Sequence, residues 1–184
     1  MNQDVRLICC LVERANFKYW PETVGESIDM TPYCIQLVSK KTLVNKLIQS
    51  ELKVTYYGKQ KYKSNEATVT HLWFRGWPDF GVPEGTDDVE AFEGLVNTIA
   101  EFVCDDAQQG RPMIHCRAGW GRSGTLATIT SQIYMLRKKP NDYMTVKETL
   151  EFLRNQRNCL VETRPQYKFI QRHLEKYQVP DSKD

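Results

Sequence analysis

The pattern of hydrophobic and polar positions divides the chain into a strand-rich first half and a helical second half. Residues 5–12 form a short continuous apolar run, which is typical of a buried strand. Residues 33–39, 52–57 and 67–74 are rich in β-branched and aromatic side chains that partly alternate with polar ones. Residues 112–116 form a further apolar run. We therefore predict a strand in each of these five segments, and a buried strand in the last.

Helical periodicity and capping residues predict four helices in the second half. The first opens at an acidic stretch and carries its apolar side chains on one face: Val89, Phe92, Leu95, Val96, Ile99 and Phe102. A second helix is predicted over about residues 122–137. Thr145 and Glu148 form a capping box for a helix to about Gln156, and Thr163 is predicted to cap the last helix. Strands followed by helices predict an α+β fold in which helices flank the sheet.

Length and charge limit the classes of function. A chain of 184 residues with 41% hydrophobic content predicts a single domain over residues 1–184. A net charge of +2 gives no reason to expect nucleic acid or a membrane as partner. Residues 54–65 interleave three tyrosines with three lysines, and a solvated hairpin is favoured there over a nucleic-acid patch. No apolar run approaches the roughly 18 residues of a membrane span, so we expect an intracellular protein. The sequence does not indicate its oligomeric state.

The chain contains six cysteines and three histidines. The cysteines are too sparse for a disulfide-stapled fold, and most lie in apolar runs. Five are predicted to be reduced thiols of the core: Cys9, Cys10, Cys34, Cys104 and Cys159. Because there is no Cys-x-x-Cys pair and the histidines are scattered, we expect no metal and no cofactor.

The sixth cysteine lies in the stretch HCRAGWGRSGT, residues 115–125, between the last predicted strand and a helix. Five residues separate Cys116 from Arg122, and glycines at 119, 121 and 124 allow backbone N–H groups to point inward as an anion nest. The helix N-terminus and the arginine favour the thiolate of Cys116. The alternative is an ordinary strand-to-helix turn with a small buried cysteine. The glycines, His115 and Ser123 together favour a phosphate-binding nucleophilic loop.

A second stretch, residues 75–85, offers an acid. Its sequence, RGWPDFGVPEG, combines two prolines, three glycines and a single aspartate flanked by aromatic residues. This composition is typical of a semi-rigid flap that could carry Asp79 over a bound phosphate ester. An acid is needed because the phenoxide leaving group of a tyrosine phosphate has a conjugate acid with a pKa of about 10. The alternative is a surface loop in which Asp79 caps a turn.

These residues resemble those of a known family. HCRAGWGRSGT and WPDFGVP together resemble the signature loop and the acid-bearing loop of the tyrosine-specific protein tyrosine phosphatases. YWPE at residues 19–22 and VETRPQY at residues 161–167 are similar to further family stretches, so that the resemblance runs from about residue 2 to residue 177. It implies the phosphatase fold, a highly twisted mixed sheet flanked by helices. It also implies a metal-free hydrolase that acts on phosphotyrosine in proteins.

The resemblance implies a role for each matching position of the two loops. Cys116 would be the nucleophile that takes the phosphoryl group, and Arg122 would clamp the phosphate. Asp79 would act first as general acid and then as the base that activates water. The amides that cradle the phosphate would come from the intervening residues: Arg117, Ala118, Gly119, Trp120 and Gly121.

Supporting roles are implied in the same way. Ser123 would hydrogen-bond the sulfur and ease its departure, and His115 would tune the surroundings of the sulfur. Trp77 would act at the hinge of the flap. Gln166 would orient the hydrolytic water. Arg154 matches a basic position that in relatives can hold acidic substrate residues.

The sequence departs from the family pattern in three places. Glu162 stands where the family usually has glutamine, and a carboxylate there would repel a phosphoryl-enzyme and slow its hydrolysis. Trp120 and Arg117 replace smaller residues of the signature loop. No counterpart is found for the upstream helices and the tyrosine-bearing recognition loop, so we expect an N-terminally shortened catalytic domain. Two alternatives stay open: a phosphotyrosine-binding pseudophosphatase with little turnover, and a dual-specificity or phosphoinositide phosphatase.

Overall fold

The computed structural model describes residues 4–13, 18–57, 64–108 and 110–177, and its β-branched and aromatic runs form one mixed six-stranded sheet. The strands are β1 Val5–Cys10, β2 Ser27–Met30, β3 Tyr33–Val44, β4 Leu47–Tyr57, β5 Ser64–Phe74 and β6 Arg111–His115. Their order across the sheet is β2-β3-β4-β5-β1-β6. Strands β2 to β5 pair antiparallel, whereas β1 pairs parallel with both β5 and β6.

Four helices follow the first five strands. They are α1 Thr86–Cys104, α2 Gly121–Lys138, α3 Val146–Gln156 and α4 Arg164–Glu175, with a short 3₁₀ turn at Pro140–Asp142. Thr145 and Thr163 each accept a hydrogen bond from the backbone three residues on, and both capping boxes are complete. These bonds satisfy backbone donors that a helix start leaves free. The predicted α+β class and the four predicted helices are confirmed.

Hydrophobic side chains pack on both faces of the sheet. The larger core includes Cys9, Phe74 and Phe92, and a smaller one includes Cys10 and Trp73. Because neighbouring residues of a strand point to opposite faces, Cys9 and Cys10 place the two cores on opposite sides of β1. Helices α1, α3 and α4 are amphipathic, whereas α2 is buried on most of its sides. None of the helices in the described residues is long and apolar enough to cross a membrane.

The parallel register of three strands positions the site. Cys10 lies opposite both Trp73 of β5 and His115 of β6, so these strands end at the same edge of the sheet. The chain leaves β5 into the acid-bearing segment and leaves β6 into the cysteine loop. The two candidate stretches, about forty residues apart in sequence, therefore start side by side.

The structure corrects several expectations about the strands. β6 is an edge strand rather than a buried one, and Met113 is 43% exposed. β2 is not predicted by the pattern because its four residues, SIDM, alternate too briefly to stand out. β3 extends beyond its predicted segment through exposed polar residues, and β4 begins five residues earlier than predicted, at the buried Leu47. The proposed hairpin at residues 54–65 joins antiparallel strands, but residues 58–63 lie outside the described part of the chain.

The cysteine prediction is partly wrong. Cys9 and Cys10 are buried as expected, and all six thiols are free. Cys34 and Cys104 are only half-buried. Cys159 is exposed and adopts a left-handed φ of 64°, so it belongs to a surface turn and not to the core.

Candidate active site

The cysteine loop is a tight connection from β6 to α2. Cys116 follows the strand directly, and the helix begins at Gly121. Gly119 has a φ of 80°, a conformation that residues with a Cβ rarely adopt. This turn directs the Gly119 N–H to the sulfur of Cys116, with a N···Sγ distance of 3.2 Å. The predicted inward-facing amide geometry is present at this position.

The Cys116 thiol has a pKa below its ordinary value. Burial alone would raise this pKa, but hydrogen bonds from the Ser123 hydroxyl, the Ser123 N–H and the Gly119 N–H outweigh it, with a further contribution from the charge of Arg122. The Ser123 hydroxyl is buried and makes no well-formed hydrogen bond to any group in the described part of the chain, so the sulfur has no competitor for its proton. The thiolate, the nucleophilic form of cysteine, is therefore favoured.

The guanidinium of Arg122 joins the cysteine loop to the acid-bearing loop. Arg122 is 5% exposed, and its Nη1 donates to the Trp77 carbonyl at 3.0 Å. Its Nη2 donates to Oδ1 of Asp79. The second carboxylate oxygen of Asp79 lies 4.0 Å from Nη1 of the exposed Arg117. Asp79 itself is half-exposed, so the acid stands at the mouth of the cradle between two cations.

The acid-bearing loop is anchored at Trp77. This side chain is buried against Phe92 and Phe169, with ring centroids 5.2 and 6.2 Å away, and its Nε1 donates to the Gly81 carbonyl at 3.0 Å. The next aromatic residue, Phe80, is 67% exposed and has a φ of 60°. The buried Trp77 therefore anchors one end of the loop, whereas Phe80, with its left-handed backbone conformation, is exposed. The hinge role of Trp77 stays a prediction.

Gln166 lies beside the cradle, where a Cβ built on Gly121 would stand 3.2 Å from its Nε2. It is fully buried, and its Oε1 accepts hydrogen bonds from the N–H groups of Glu162 and Thr163 at 3.0 and 3.2 Å. Its Nε2 lies 3.4 Å from the Gly81 carbonyl of the acid-bearing loop. The amide thus ties α4 to two loops. The expected water-orienting role of Gln166 remains untested, and its present hydrogen bonds are structural.

Glu162 and Trp120 occupy the rim of the cradle. A Cβ built on Gly121 would stand 2.9 Å from Oε2 of Glu162, so this exposed carboxylate lies against the first residue of α2. Trp120 is 38% exposed, and its carbonyl accepts the N–H groups of Gly124 and Val161. The side chains of Glu162 and Gln166 therefore both lie against the start of α2.

Two arginines donate hydrogen bonds to backbone carbonyls near the cysteine loop. Nε and Nη2 of Arg154 donate to the carbonyls of Leu160 and Val161 at 2.8 and 3.1 Å. Arg157 donates from Nε to the Gly119 carbonyl at 2.9 Å, and its Nη2 lies 3.4 Å from the Ala118 carbonyl. The substrate-binding role that the sequence implies for Arg154 stays a prediction. The contact of Arg157 with the cysteine loop is not predicted by the sequence. Nothing in the spacing of Arg157 marks it, because its partners are backbone oxygens.

Tyr19, His71 and His115 form a hydrogen-bonded cluster that the sequence pattern does not predict. The hydroxyl of Tyr19 lies 2.7 Å from Nε2 of His115 and 3.0 Å from Nε2 of His71. Burial lowers the pKa of both imidazoles, to about 3 for His71, where the neighbouring His115 adds to the effect. Burial also raises the pKa of the Tyr19 hydroxyl. The cluster next to the nucleophile is therefore electrically neutral at pH 7.

In the parts of the chain that the structure describes, no three side chains of His, Cys, Asp or Glu form a group that could hold a metal ion. The arrangement consists instead of a thiolate, a buried guanidinium, an adjacent carboxylic acid and inward-facing amides. These groups can bind a tetrahedral dianion, attack it and protonate a leaving group.

Comparison with known proteins places this arrangement in a family. Tyrosine-protein phosphatase 69D of Drosophila melanogaster is 30% identical over 163 residues, which are 85% of this chain and 10% of that protein. Human tyrosine-protein phosphatase non-receptor type 18 is 30% identical over 159 residues, 83% of this chain and 31% of that protein. The chain is also similar to a solved structure of PTPN18 in complex with HER2-pY1248 phosphopeptides, with a TM-score of 0.76 and 27% identity over 94% of this chain and 62% of that one.

The chain thus spans about a tenth to a third of the length of these two relatives. The family model described as protein-tyrosine phosphatase matches residues 1–176, nearly the whole chain. The chain belongs to the protein-tyrosine phosphatase family.

Proposed function

We propose that this domain hydrolyses phosphotyrosine in proteins through a phosphocysteine intermediate. The observation that carries the proposal is the convergence of Cys116, Arg122 and Asp79 at one edge of the sheet, with the sulfur held below its ordinary pKa. Membership of the family supports the same chemistry.

In the first step, the Cys116 thiolate attacks phosphorus, and the bond from phosphorus to the phenolic oxygen breaks. Asp79, protonated in the substrate complex, gives its proton to the departing phenolate. The guanidinium of Arg122 and the N–H groups of residues 117–122 bind the phosphoryl oxygens through planar and convergent hydrogen bonds. Asp79 already contacts Arg122, so an entering phosphate would compete with this carboxylate for the guanidinium.

In the second step, water attacks the phosphocysteine, Asp79 takes the proton of that water, and the thiolate leaves with inorganic phosphate released. The Ser123 hydroxyl stabilises the departing thiolate, as it does the resting one. Glu162 faces the start of α2, where a carboxylate repels a dianionic phosphoryl group. We therefore infer that hydrolysis of the intermediate is the slow step.

A phosphotyrosine-containing protein is the substrate that we propose. The related PTPN18 structure holds HER2-pY1248 phosphopeptides. The exposed Phe80 and Trp120 provide aromatic surface near the cradle, which suits an aryl phosphate. We further propose that residues 1–184 act as one intracellular domain, because a reactive thiolate needs a reducing compartment.

The test measures hydrolysis of a small aryl phosphate at mildly acidic pH by the wild-type protein, Cys116→Ser and Glu162→Gln. We expect phosphate release by the wild type, none by Cys116→Ser, and faster turnover by Glu162→Gln. Circular dichroism of each variant controls for folding. Wild-type activity no higher than that of Cys116→Ser would refute the proposed enzyme.

Glu162 favours one second candidate, a phosphotyrosine-binding domain with little turnover. In that case wild type and Cys116→Ser bind a phosphotyrosine peptide equally well, and neither releases phosphate above background. Parallel rates on phosphotyrosine, phosphothreonine and phosphoinositide then separate the tyrosine-specific enzyme from a phosphatase of broader specificity.

A further inference from the structure

A groove beside helix α4 carries three cationic side chains that the proposed chemistry does not use. The groove has a volume of about 670 Å³, and Arg164, Lys168 and Arg172 line it. These residues are spaced four apart and therefore form a single row along the helix. The groove also contains Val82 and Glu84 of the segment that follows the acid-bearing loop. We call it the α4 groove.

The three cations are exposed and unpaired. No carboxylate lies within ion-pair distance of any of them in the described part of the chain, although Glu84 and Glu175 also line the groove. Other basic residues nearby do have partners, since Lys176 pairs with Glu93. The cations of the row thus keep their full capacity to bind an anion.

The position of Arg164 concentrates positive charge at one end of the row. Arg164 is the first residue of α4, and the first turn of this helix contains no acidic residue. A helix N-terminus carries a partial positive charge, so a cation there is unfavourable for the isolated domain. Among the described residues, no hydrogen bond or ion pair of the Arg164 side chain offsets this cost. The positive end of α4 is therefore best suited to an anion from outside.

This end of the groove adjoins the candidate active site. Thr163, which precedes Arg164, donates its hydroxyl to the Phe80 carbonyl at 3.2 Å. Gln166 reaches the Gly81 carbonyl of the same loop. The row of cations thus begins beside the acid-bearing loop and leads away from the mouth of the cradle.

We propose that the α4 groove binds acidic residues that flank the phosphotyrosine of a protein substrate. The proposal rests on the proposed function, because it assigns a substrate class to the same site. The row from Arg164 to Arg172 is about 12 Å long, the rise of eight helical residues. An extended peptide covers this length with about four residues. Glu84 and Glu175 reduce the net charge of the groove, which suits a short acidic segment better than a long polyanion.

The experiment compares three phosphotyrosine peptides that differ only in their flanks. One has aspartates before the phosphotyrosine, one has them after it, and one has asparagines on both sides. The rates are measured for the wild type, for Arg164→Gln/Lys168→Gln/Arg172→Gln, and for the matched control Lys41→Gln/Arg137→Gln/Lys139→Gln, which removes three exposed cations outside the groove. A small aryl phosphate without flanks measures the chemistry alone.

We expect the wild type to prefer one acidic peptide over the neutral one in kcat/KM by about three- to a hundredfold, since each of the three exposed ion pairs contributes a factor of about 1.4 to 5. The groove variant should lose this preference and keep its rate on the aryl phosphate, whereas the control variant keeps both. The preference should also weaken as salt is added. A wild type without preference, a groove variant that retains it, or an equal loss in the control variant would each overturn the proposal.

Failure of the proposed function gives a different result. If the wild type does not hydrolyse the aryl phosphate, peptide binding is measured by fluorescence anisotropy on the Cys116→Ser background, with and without the groove substitutions. Tighter binding of an acidic peptide that depends on the groove cations still supports the docking site. Equal affinity for acidic and neutral peptides refutes it.

Discussion

Replacing Ser123 with alanine removes the side-chain group that contributes most to lowering the pKa of Cys116. The hydroxyl is buried, makes no well-formed hydrogen bond in the described residues and lies in the first turn of α2. Alanine leaves the backbone amides of Ser123 and Gly119 in place, as well as the charge of Arg122. The substitution therefore separates one hydroxyl from the rest of the cradle.

The size of the effect follows from the charge of the acceptor. A hydrogen bond to a charged group contributes about 1.5–3 kcal/mol, and one pKa unit corresponds to about 1.4 kcal/mol. Loss of the hydroxyl should therefore raise the pKa of Cys116 by about one to two units. Below both pKa values, the thiolate fraction should fall about ten- to a hundredfold, and the reactivity profile should move to higher pH.

The assay is the rate of iodoacetamide alkylation of Cys116 between about pH 5 and 9, followed by mass spectrometry of the peptide that contains this residue. The matched control is Thr128→Val, which removes a buried hydroxyl of α2 that donates to the Gly124 carbonyl at 2.8 Å and not to the sulfur. The control should keep the wild-type profile. An unchanged profile in Ser123→Ala, or an equal shift in Thr128→Val, would contradict the reasoning.

Three further predictions concern acid catalysis, the cysteine loop and stability. Asp79→Ala should lower kcat on an aryl phosphate by about 10²–10⁴ with KM nearly unchanged, as measured by steady-state kinetics; an equal loss of binding would count against the acid role. Gly119→Ala should impair both binding and turnover, because its Cβ would stand 2.8 Å from Nη2 of Arg157 at a φ of 80°; wild-type kinetics would contradict this. His173 is buried and its pKa is lowered to about 4 from 6.5, so the unfolded chain takes up the proton first as pH falls. The contribution of His173 to stability should therefore decrease from pH 6.5 towards pH 4 by at most about 3 kcal/mol, and urea denaturation of His173→Gln should show a flatter pH dependence.

Most of the fold could be predicted from the sequence, because its signals are local. Each capping box, at Thr145 and at Thr163, joins two residues that are three positions apart in the sequence. The apolar face of α1 repeats along a single helix. The edge position of β6 could not be predicted, since an apolar run looks the same whether one or both of its neighbours are present. Cys159 was misplaced for a similar reason, because a thiol next to Leu160 suggests a core that the left-handed turn does not enter.

Some residues of the candidate site could likewise be predicted from the sequence, and others could not. Cys116, Arg122 and Asp79 could be found because their chemistry needs those residue types in those loops. The contacts of Arg157 and Gln166 could not, because both side chains bind backbone groups whose position depends on the fold. When the partner of a side chain is a backbone carbonyl or amide, the sequence contains no complementary side chain from which the contact could be recognised.

The neutral cluster behind the nucleophile defines how the thiolate is stabilised. Tyr19, His71 and His115 contribute no positive charge at pH 7, because burial keeps both imidazoles unprotonated and the hydroxyl intact. The sulfur therefore depends on hydrogen bonds from α2 and the loop, and on Arg122, whose charge does not titrate in the physiological range. A cysteine paired with an imidazolium would lose its activating charge as pH rises through the histidine pKa. Here the activating groups keep their charge and hydrogens across neutral pH, so the protonation of Cys116 itself controls the nucleophile.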